Sequence, residues 1–329
     1  MLKTVAKALA GAAVVAVALT GCGSGSPSGS GGASQQGGGS GPLTKVTVGL
    51  LSIAPSAAVQ YGVEKGYFSQ EGLDVQFQTG QGGAAMLPAV SSGSMDFAVG
   101  NPLSVLVAAD KGLDMKIVTG FSNSIASGND IEAVIVKKDS PIQSWKDLAG
   151  KTVSVNAVNT QGDLTIMESA AKEGADPKAI KFSEVAFPDA QAQLDRGNID
   201  AAWVPEPFMS KMLGDPNYRL LGYPYQEVIP GLPTMVSFTS GNFAKSNADT
   251  VQKFKKAMQT TLDAVQKDQQ GFKASAGTFL KMDAAAAQKL NMEEMSAELR
   301  EKQLTDLGSL MQKYKFVSKQ PSVDSLLVK

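Results

Sequence analysis

Residues 44–78 read TKVTVGLLSIAPSAAVQYGVEKGYFSQEGLDVQFQ. Thr44–Ile53 is apolar and rich in β-formers, Ser56–Lys65 has helical character, and Gly66 stands where a left-handed C′ residue ends a helix. Leu73–Gln78 then alternates apolar and polar, as a half-buried strand does. The rhythm continues downstream. Gly80-Gln81-Gly82-Gly83 turns into an apolar helix near Ala84–Val90, and Met95–Val99 is a short strand. Asn101-Pro102 opens a helix through Ala109, and Met115–Gly120 is the next strand. Repeated βα units with short connections predict an α/β fold: an open, mostly parallel sheet with helices on both faces.

The middle of the chain repeats the pattern. Ile131–Lys137 is a strand, and Ser144-Trp145-Lys146-Asp147 has capping-box form ahead of a short helix that ends at Gly150. Lys151–Asn156 is a strand, and Thr160-Gln161-Gly162-Asp163 is a second capping box. The helix behind it places Leu164, Met167 and Ala171 on one face. Asp176-Pro177 restarts the chain, and Lys181–Phe187 and Ile199–Val204 are further strands. This second βαβ set predicts a second lobe. From Ser246 the pattern turns helical, with Ser246-Asn247-Ala248-Asp249 as its cap and Val251, Phe254, Met258, Leu262 and Val265 as one apolar stripe.

Composition narrows the chemistry. The 329 residues carry 30 Lys+Arg against 31 Asp+Glu, no His and one Cys. A net charge of −1 excludes a strongly basic nucleic-acid binder. Without His the commonest general base and zinc ligand is missing, and one Cys excludes an internal disulfide framework. No calcium-loop spacing of Asp occurs, so neither metal nor cofactor is expected.

The Cys has a place of its own. Lys3 and Lys7 precede the uncharged run ALAGAAVVAVALT at 8–20, which is too short to span a bilayer. It ends in Leu19-Thr20-Gly21-Cys22, which resembles the bacterial lipobox, so residues 1–21 are expected to be a signal peptide and Cys22 the lipidated residue. Removal of that peptide leaves 28 basic against 31 acidic groups, a net charge of −3. Residues 23–41 include nine Gly and six Ser among 19 and no charge. Such a segment buries too little to order itself, so 22–42 are expected to form a lipid-bearing flexible tether.

The ordered motifs resemble one family. Tyr61-Gly62-Val63-Glu64-Lys65-Gly66-Tyr67-Phe68, followed by Glu71-Gly72-Leu73-Asp74-Val75, is similar to the opening of nitrate/sulfonate/taurine-type solute-binding proteins of ABC importers. Further along come the Gly80–Gly83 turn and Gly93-x-x-Asp96-Phe97-Ala98. Trp145-x-Asp147-Leu148-x-Gly150-Lys151-x-Val153 and Gly197-x-Ile199-Asp200-Ala201-Ala202-Trp203-x-x-Glu206-Pro207-Phe208 complete the set, over about residues 44–270. The resemblance implies a two-lobed, periplasmic-binding-protein-like (type II) fold with ligand in the cleft. Lobe I would comprise 43–130 plus 232–329, and lobe II 131–231.

Ligands of open α/β sheets sit at the loops beyond strand C-termini. Those loops nominate Ser56, Gln81, Gly82, Gly83, Asn101 and Asn123 in lobe I, and Asn159, Thr160, Asp163, Trp203 and Glu206 in lobe II. Each has a structural reading as well. Gly80–Gly83 either offers N–H groups to an anion or is a tight turn needing positive φ. Asp163 reads first as the capping partner of Thr160, and Glu206 first as a carboxylate at a helix start. Trp203 either stacks on a planar ligand or packs in the core. Asn101 and Asn123 either donate to ligand or cap their own helix and turn, with capping the first reading of Asn101. The three Arg (Arg196, Arg219 and Arg300) lie outside these loops, so a guanidinium clamp on a carboxylate is missing.

The resemblance implies a capture protein and no enzyme. It would hold a small organic anion, such as a sulfonate or aromatic carboxylate, and deliver it to an ABC permease and its ATPase. A pyrimidine-type thiamine precursor is the alternative cargo, and a ligand-sensing receptor the alternative role. An enzyme on the same fold is disfavoured. The resemblance implies that pyrimidine-synthesising relatives use His and Cys, and this chain has no His and gives its one Cys to the lipid. The protein is expected to be a monomer, held by its lipid at the outer face of the cytoplasmic membrane.

Overall fold

A computed structural model describes residues 42–328 of the chain. The segment expected to be a signal peptide, Cys22 and nearly all of the expected tether lie outside the described residues. In chain order, β1 is Thr44–Leu50, β2 Leu73–Thr79, β3 Phe97–Gly100 and β4 Met115–Asn123. Next come β5 Glu132–Lys137, β6 Thr152–Val155, β7 Lys181–Glu184, β8 Ala201–Pro205 and β9 Tyr218–Gly222. The last strands are β10 Pro233–Ser240 and β11 Glu294–Met295.

These form two sheets, ordered β11-β4-β10-β3-β1-β2 and β7-β6-β8-β5-β9. The two-lobed α/β fold is the one the sequence led us to expect, except that each sheet is mixed rather than mostly parallel. Strands joined by consecutive βα units are parallel: β1 with β2 and β3, and β6 with β7 and β8. Apart from the short β11, which lies antiparallel on β4, the antiparallel members are those beside a passage from one sheet to the other. β10 returns from the second sheet and wedges antiparallel between β3 and β4, while β5 and β9 form the antiparallel half of the second sheet. Neither β9 nor β10 was anticipated, and β10 is buried along its whole length, so it lacks the alternation that marks a half-exposed strand.

Burial follows the strand period. Val46, Val48 and Leu50 of β1 join the first core with Phe97, Phe121 and Phe238. In β5, Val134 and Val136 face one core while Ala133 and Ile135 face another, so the second sheet is covered on both sides. The helix Glu301–Lys313 places Leu307, Leu310 and Met311 in the same core as Val134, Val136 and Trp145, together with Leu103 and Leu106 from the first set of βα units. The C-terminal segment therefore seals apolar surface that belongs to both sheets. Among the described residues no helix is long and apolar enough to cross a membrane.

Several local expectations shift. The segment Lys181–Phe187 is a strand only to Glu184, because Phe187 enters a 3-10 turn. Ser246 ends the preceding helix rather than capping the next, and Asn247 at the start of Ala248–Lys267 makes no side-chain cap. On Gln161–Lys172 the buried face runs through Leu164, Thr165, Ile166, Ser169 and Ala170, with Met167 and Ala171 only half-buried. That helix is packed from two sides, so its apolar stripe is an incomplete guide to its buried surface.

The stripe Val251, Phe254, Met258, Leu262 and Val265 is fully buried. Phe254 stacks on Phe97 with ring centroids 3.9 Å apart and planes 5° from parallel. Phe254→Ala should cost about 3–5 kcal/mol, the range for deleting a buried aromatic ring. Urea unfolding measures it, and a loss under about 1 kcal/mol would show that this stripe is no anchor of the first core.

Candidate functional site

The loops named from sequence converge where the two sheets meet. Ala54 N donates to Glu206 O at 3.1 Å, Asn156 Nδ2 donates to Gln81 O at 3.0 Å, and Gln161 Nε2 donates to Pro233 O at 2.8 Å. Each bond joins an element of the first sheet's set to one of the second's. Two clefts flank this seam. One of about 210 Å³ is walled by Leu51, Ile53, Gly80, Phe187, Pro188 and Phe208. The other, about 420 Å³, lies between Gln81, Gly82, Ala85 and Asn156, Ala157, Glu184.

On the first sheet's side, Ser56 precedes the helix Ala57–Glu64, is fully buried, and does not cap it; its Oγ has no hydrogen-bond partner in the protein. Gly82 is extended and Gly83 starts a helix, and neither they nor Gly80 have the positive φ considered for this turn. Their reason is close approach: a methyl on Gly100 would stand 2.6 Å from Gly83 Cα, and one on Gly82 2.9 Å from Asn156 Nδ2. Gln81 is exposed at the lip of the cleft. Asn101 accepts from Ser104 N at 2.9 Å and Ser104 Oγ at 3.0 Å, which makes it a helix cap. Asn123 does not cap a turn. It is the buried last residue of β4, paired in register with Pro233 and Glu294, and its Nδ2 is left without a partner.

On the second sheet's side, Asn159 adopts φ 57°, a region that Asn tolerates, and lies exposed. Asp163 accepts from Thr160 N at 2.7 Å and Asn159 N at 2.6 Å, closing the helix start as expected of a capping partner. Burial outweighs those bonds and pushes its carboxyl up to about 6. Thr160 is buried and its hydroxyl donates to Ala157 O at 3.0 Å. Trp203 lies among Phe187, Tyr225 and the face of Gly162, with ring centroids 5.6 Å and 5.8 Å from the first two. It is thus a core residue, yet its buried Nε1 donates to nothing in the protein.

Glu206 is wholly buried and more than a helix-start carboxylate. It accepts from Ser210 N at 3.1 Å and Ser210 Oγ at 2.6 Å, and also from Asn291 Nδ2 at 3.0 Å across the seam. Burial still raises its carboxyl above the ordinary Glu range.

Sequence reasoning missed a set of buried polar residues beside the seam. Asp130, Glu132, Gln161, Tyr225, Thr234 and Glu293 are all buried at or beside the two crossings of the chain. Asp130 accepts from Ser124 Oγ at 2.5 Å and from Ile131 N at 3.0 Å. Thr234 Oγ1 donates to Glu293 Oε2 at 2.9 Å. Glu132 is hydrogen-bonded to Tyr225 and repelled by Glu293 and Asp130, and desolvation first, repulsion second, lifts it well above the usual Glu range. Glu293 is likewise raised, chiefly by burial. The one available sequence signal was Glu132, an acid inside the apolar run IEAVIVK. Gln161 Oε1, Glu132 Oε2 and Glu293 Oε1 have no partner in the protein. The Arg side chains serve elsewhere. Arg219 donates to Ser140 O, Arg300 donates to Gly231 O and pairs with Glu294, and Arg196 is exposed.

Residues 55–271 match the family described as NMT1/THI5 like. The fold is similar to the alkanesulfonate-binding protein SsuA from Xanthomonas axonopodis pv. citri, at 16% identity and TM-score 0.74, over 88% of this chain and 99% of that one. It is similar also to the periplasmic aliphatic sulphonate-binding protein SsuA from Escherichia coli, at 16% identity and TM-score 0.69, over 88% and 98%. The periplasmic nitrate-binding protein NrtA from Synechocystis PCC 6803 aligns at 13% identity and TM-score 0.68, over 86% and 84%. Comparison with curated protein sequences finds no match.

The raised carboxyls carry a stability signature. A group that holds its proton more tightly folded than unfolded stabilises the fold at low pH, and that contribution fades as pH rises through the folded value. For Asp163 the window runs from 3.8 to about 6, and Asp130, Glu132, Glu206 and Glu293 act in the same direction. The ligand-free protein should therefore melt at higher temperature at pH 5 than at pH 8, and Asp163→Asn should reduce the difference. Calorimetry across that range checks it, and a melting temperature that rises with pH would contradict the buried-acid reading.

Proposed function

The chain belongs to the NMT1/THI5-like family, and we propose that it is the solute-binding component of an ABC importer. It would be anchored through Cys22 at the outer face of the cytoplasmic membrane, with its folded body on the 22–42 tether, and act as a monomer. The two sheets are the jaws, and a small solute is taken at the seam between them and handed to a permease driven by its ATPase. Solute held by both sets of loops stabilises the apposed arrangement, because only there do both sets reach it.

One observation carries this reading. Ser56 Oγ, Asn123 Nδ2, Gln161 Oε1 and Trp203 Nε1 are buried at or beside the seam, from both sides of it, with no partner inside the protein. Buried polar atoms are seldom left so, because each costs about 1–3 kcal/mol unpaired. A bound polar molecule would satisfy them. The same loops offer no base-activated nucleophile: the chain has no His, and Asp163 and Glu206 are spent on Thr160, Ser210 and Asn291. Capture without chemistry accounts for that.

The lining also bears on the cargo. None of the groups just described is cationic, and the buried carboxyls are acceptors or weakly acidic donors. That argues against the organic anion expected from sequence and for the nitrogen-bearing, pyrimidine-type alternative, whose amino groups donate to the carboxyls and to Gln161 Oε1 and whose ring nitrogens accept from donors such as Asn123 Nδ2 and Trp203 Nε1.

A thermal-unfolding screen tests this, using pyrimidine amines, alkyl sulfonates, taurine, nitrate and aromatic carboxylates. A pyrimidine amine at about 100 times its Kd should add about 2.7 kcal/mol, a shift of a few degrees. Asn123→Ala should weaken that binding about tenfold, as expected for losing one buried hydrogen bond. Silence across all five classes would count against solute capture, whereas a sulfonate hit would restore the anion.

A further inference from the structure

Glu132 and Glu293 come from opposite sheets. Glu132 begins β5 and Glu293 directly precedes β11, and they are only 5% and 4% exposed. Each keeps one oxygen unpaired, Glu132 Oε2 and Glu293 Oε1, while the rest of each carboxyl is held by Tyr225 and by Thr234 respectively. The titratable groups that face them are Asp130, which acts on both, and Tyr225, which itself feels Asp163. The guanidinium of Arg300, beside β11, is already committed to Gly231 O and to Glu294. Two buried carboxylates that repel one another beside a third do not both stay ionised out of water without a proton or a cation among them. Asn123 Nδ2, Gln161 Oε1 and Trp203 Nε1, each unpartnered and at least nine-tenths buried, show that the same region is built to hold something polar.

We propose that the Glu132–Glu293 pair is the specificity-determining element of the site. In the ligand-free protein the pair keeps a proton, and a solute presenting a cationic, planar N–C–N edge displaces it. This rests on the solute-capture reading above and goes beyond it by naming the charge and shape of the recognised edge. On binding, one carboxylic O–H bond breaks and its proton leaves to water. The carboxylate so formed accepts the two N–H donors of the edge, and the solute's positive charge replaces the proton's. An anion could accept from Asn123 Nδ2 and Trp203 Nε1 but would face the two acids and Asp130, whose charge opposes its own. Capture is then proton-linked, tighter at higher pH for as long as the solute keeps its own charge.

Benzamidine is a suitable cationic probe, with benzoate as its planar anionic counterpart and butanesulfonate as an aliphatic anion. Isothermal titration from pH 5.5 to 8.5, in buffers of different ionisation heat, reads affinity and proton release together. We expect benzamidine to bind with proton release, its affinity rising up to about tenfold per pH unit where one proton is lost per ligand. Glu132→Gln and Glu293→Gln should each weaken benzamidine at least about tenfold at pH 8 and flatten the pH dependence, since the ion pair is lost. Both variants should melt no lower than the parent at that pH, because a neutral amide carries less desolvation cost than a buried carboxylate. Benzamidine binding that is independent of pH and untouched by either variant would overturn the pair's role. Binding of benzoate or butanesulfonate in preference to benzamidine would overturn it while leaving solute capture intact. Failure of these probes and of the whole solute panel would overturn both.

Discussion

The chain leaves the first sheet after Asn123, enters the second at Glu132, and returns between Gly222 and Pro233. That double passage constrains most of the architecture around it. It sends β10 back between β3 and β4, antiparallel to both, and makes it a fully buried strand. It brings the two connecting segments side by side, where Ser124 N donates to Leu232 O at 2.8 Å. It also places the ends of β4, β5 and β8 beside one another, so the side chains there have both sheets for neighbours. A site at such a junction responds to the relative position of two bodies, which a site on one sheet cannot do.

The junction is chemically unusual. Buried carboxyls elsewhere in proteins commonly have a cation beside them, yet here Asp130, Asp163, Glu132, Glu206 and Glu293 are stabilised mainly by hydroxyls, amides and backbone N–H groups. Glu206 shows how far neutral donors suffice: Ser210 and Asn291 together supply two side-chain and two backbone donors. Glu132 and Glu293 are less well served, since each retains an oxygen with no partner. The fold tolerates this because the surrounding cores are extensive, with Trp203 packed on Tyr225, which itself bonds Glu132.

Much of the fold was legible residue by residue. The stripe of Val251 to Val265, the boxes at Ser144 and Thr160, the Asn101 cap and the left-handed Gly66 all depend on neighbours within a turn or two of chain. Legibility failed where burial was complete. β10 shows no alternation because both its faces are covered, and Gln161 looks like an ordinary first-turn residue until its amide reaches Pro233 O. Of the nominated site residues, Asn101, Asn159 and Asp163 do local work at turns and helix starts, whereas Ser56, Asn123 and Trp203 keep polar atoms that no local role uses.

The sequence by itself determined the class of fold, the alternation of strands and helices, and the absence of histidine and thiol chemistry from the folded body. These rest on periodicity, capping and composition, which are properties of short segments. Only the tertiary structure decided that Glu132 and Glu293, 161 positions apart by numbering, face a common buried region in which Asp130 acts on both. A carboxyl's protonation and its choice of partner depend on everything that removes water from around it. Here that dry space is made by two sheets closing on one another, and no short segment of the chain contains both.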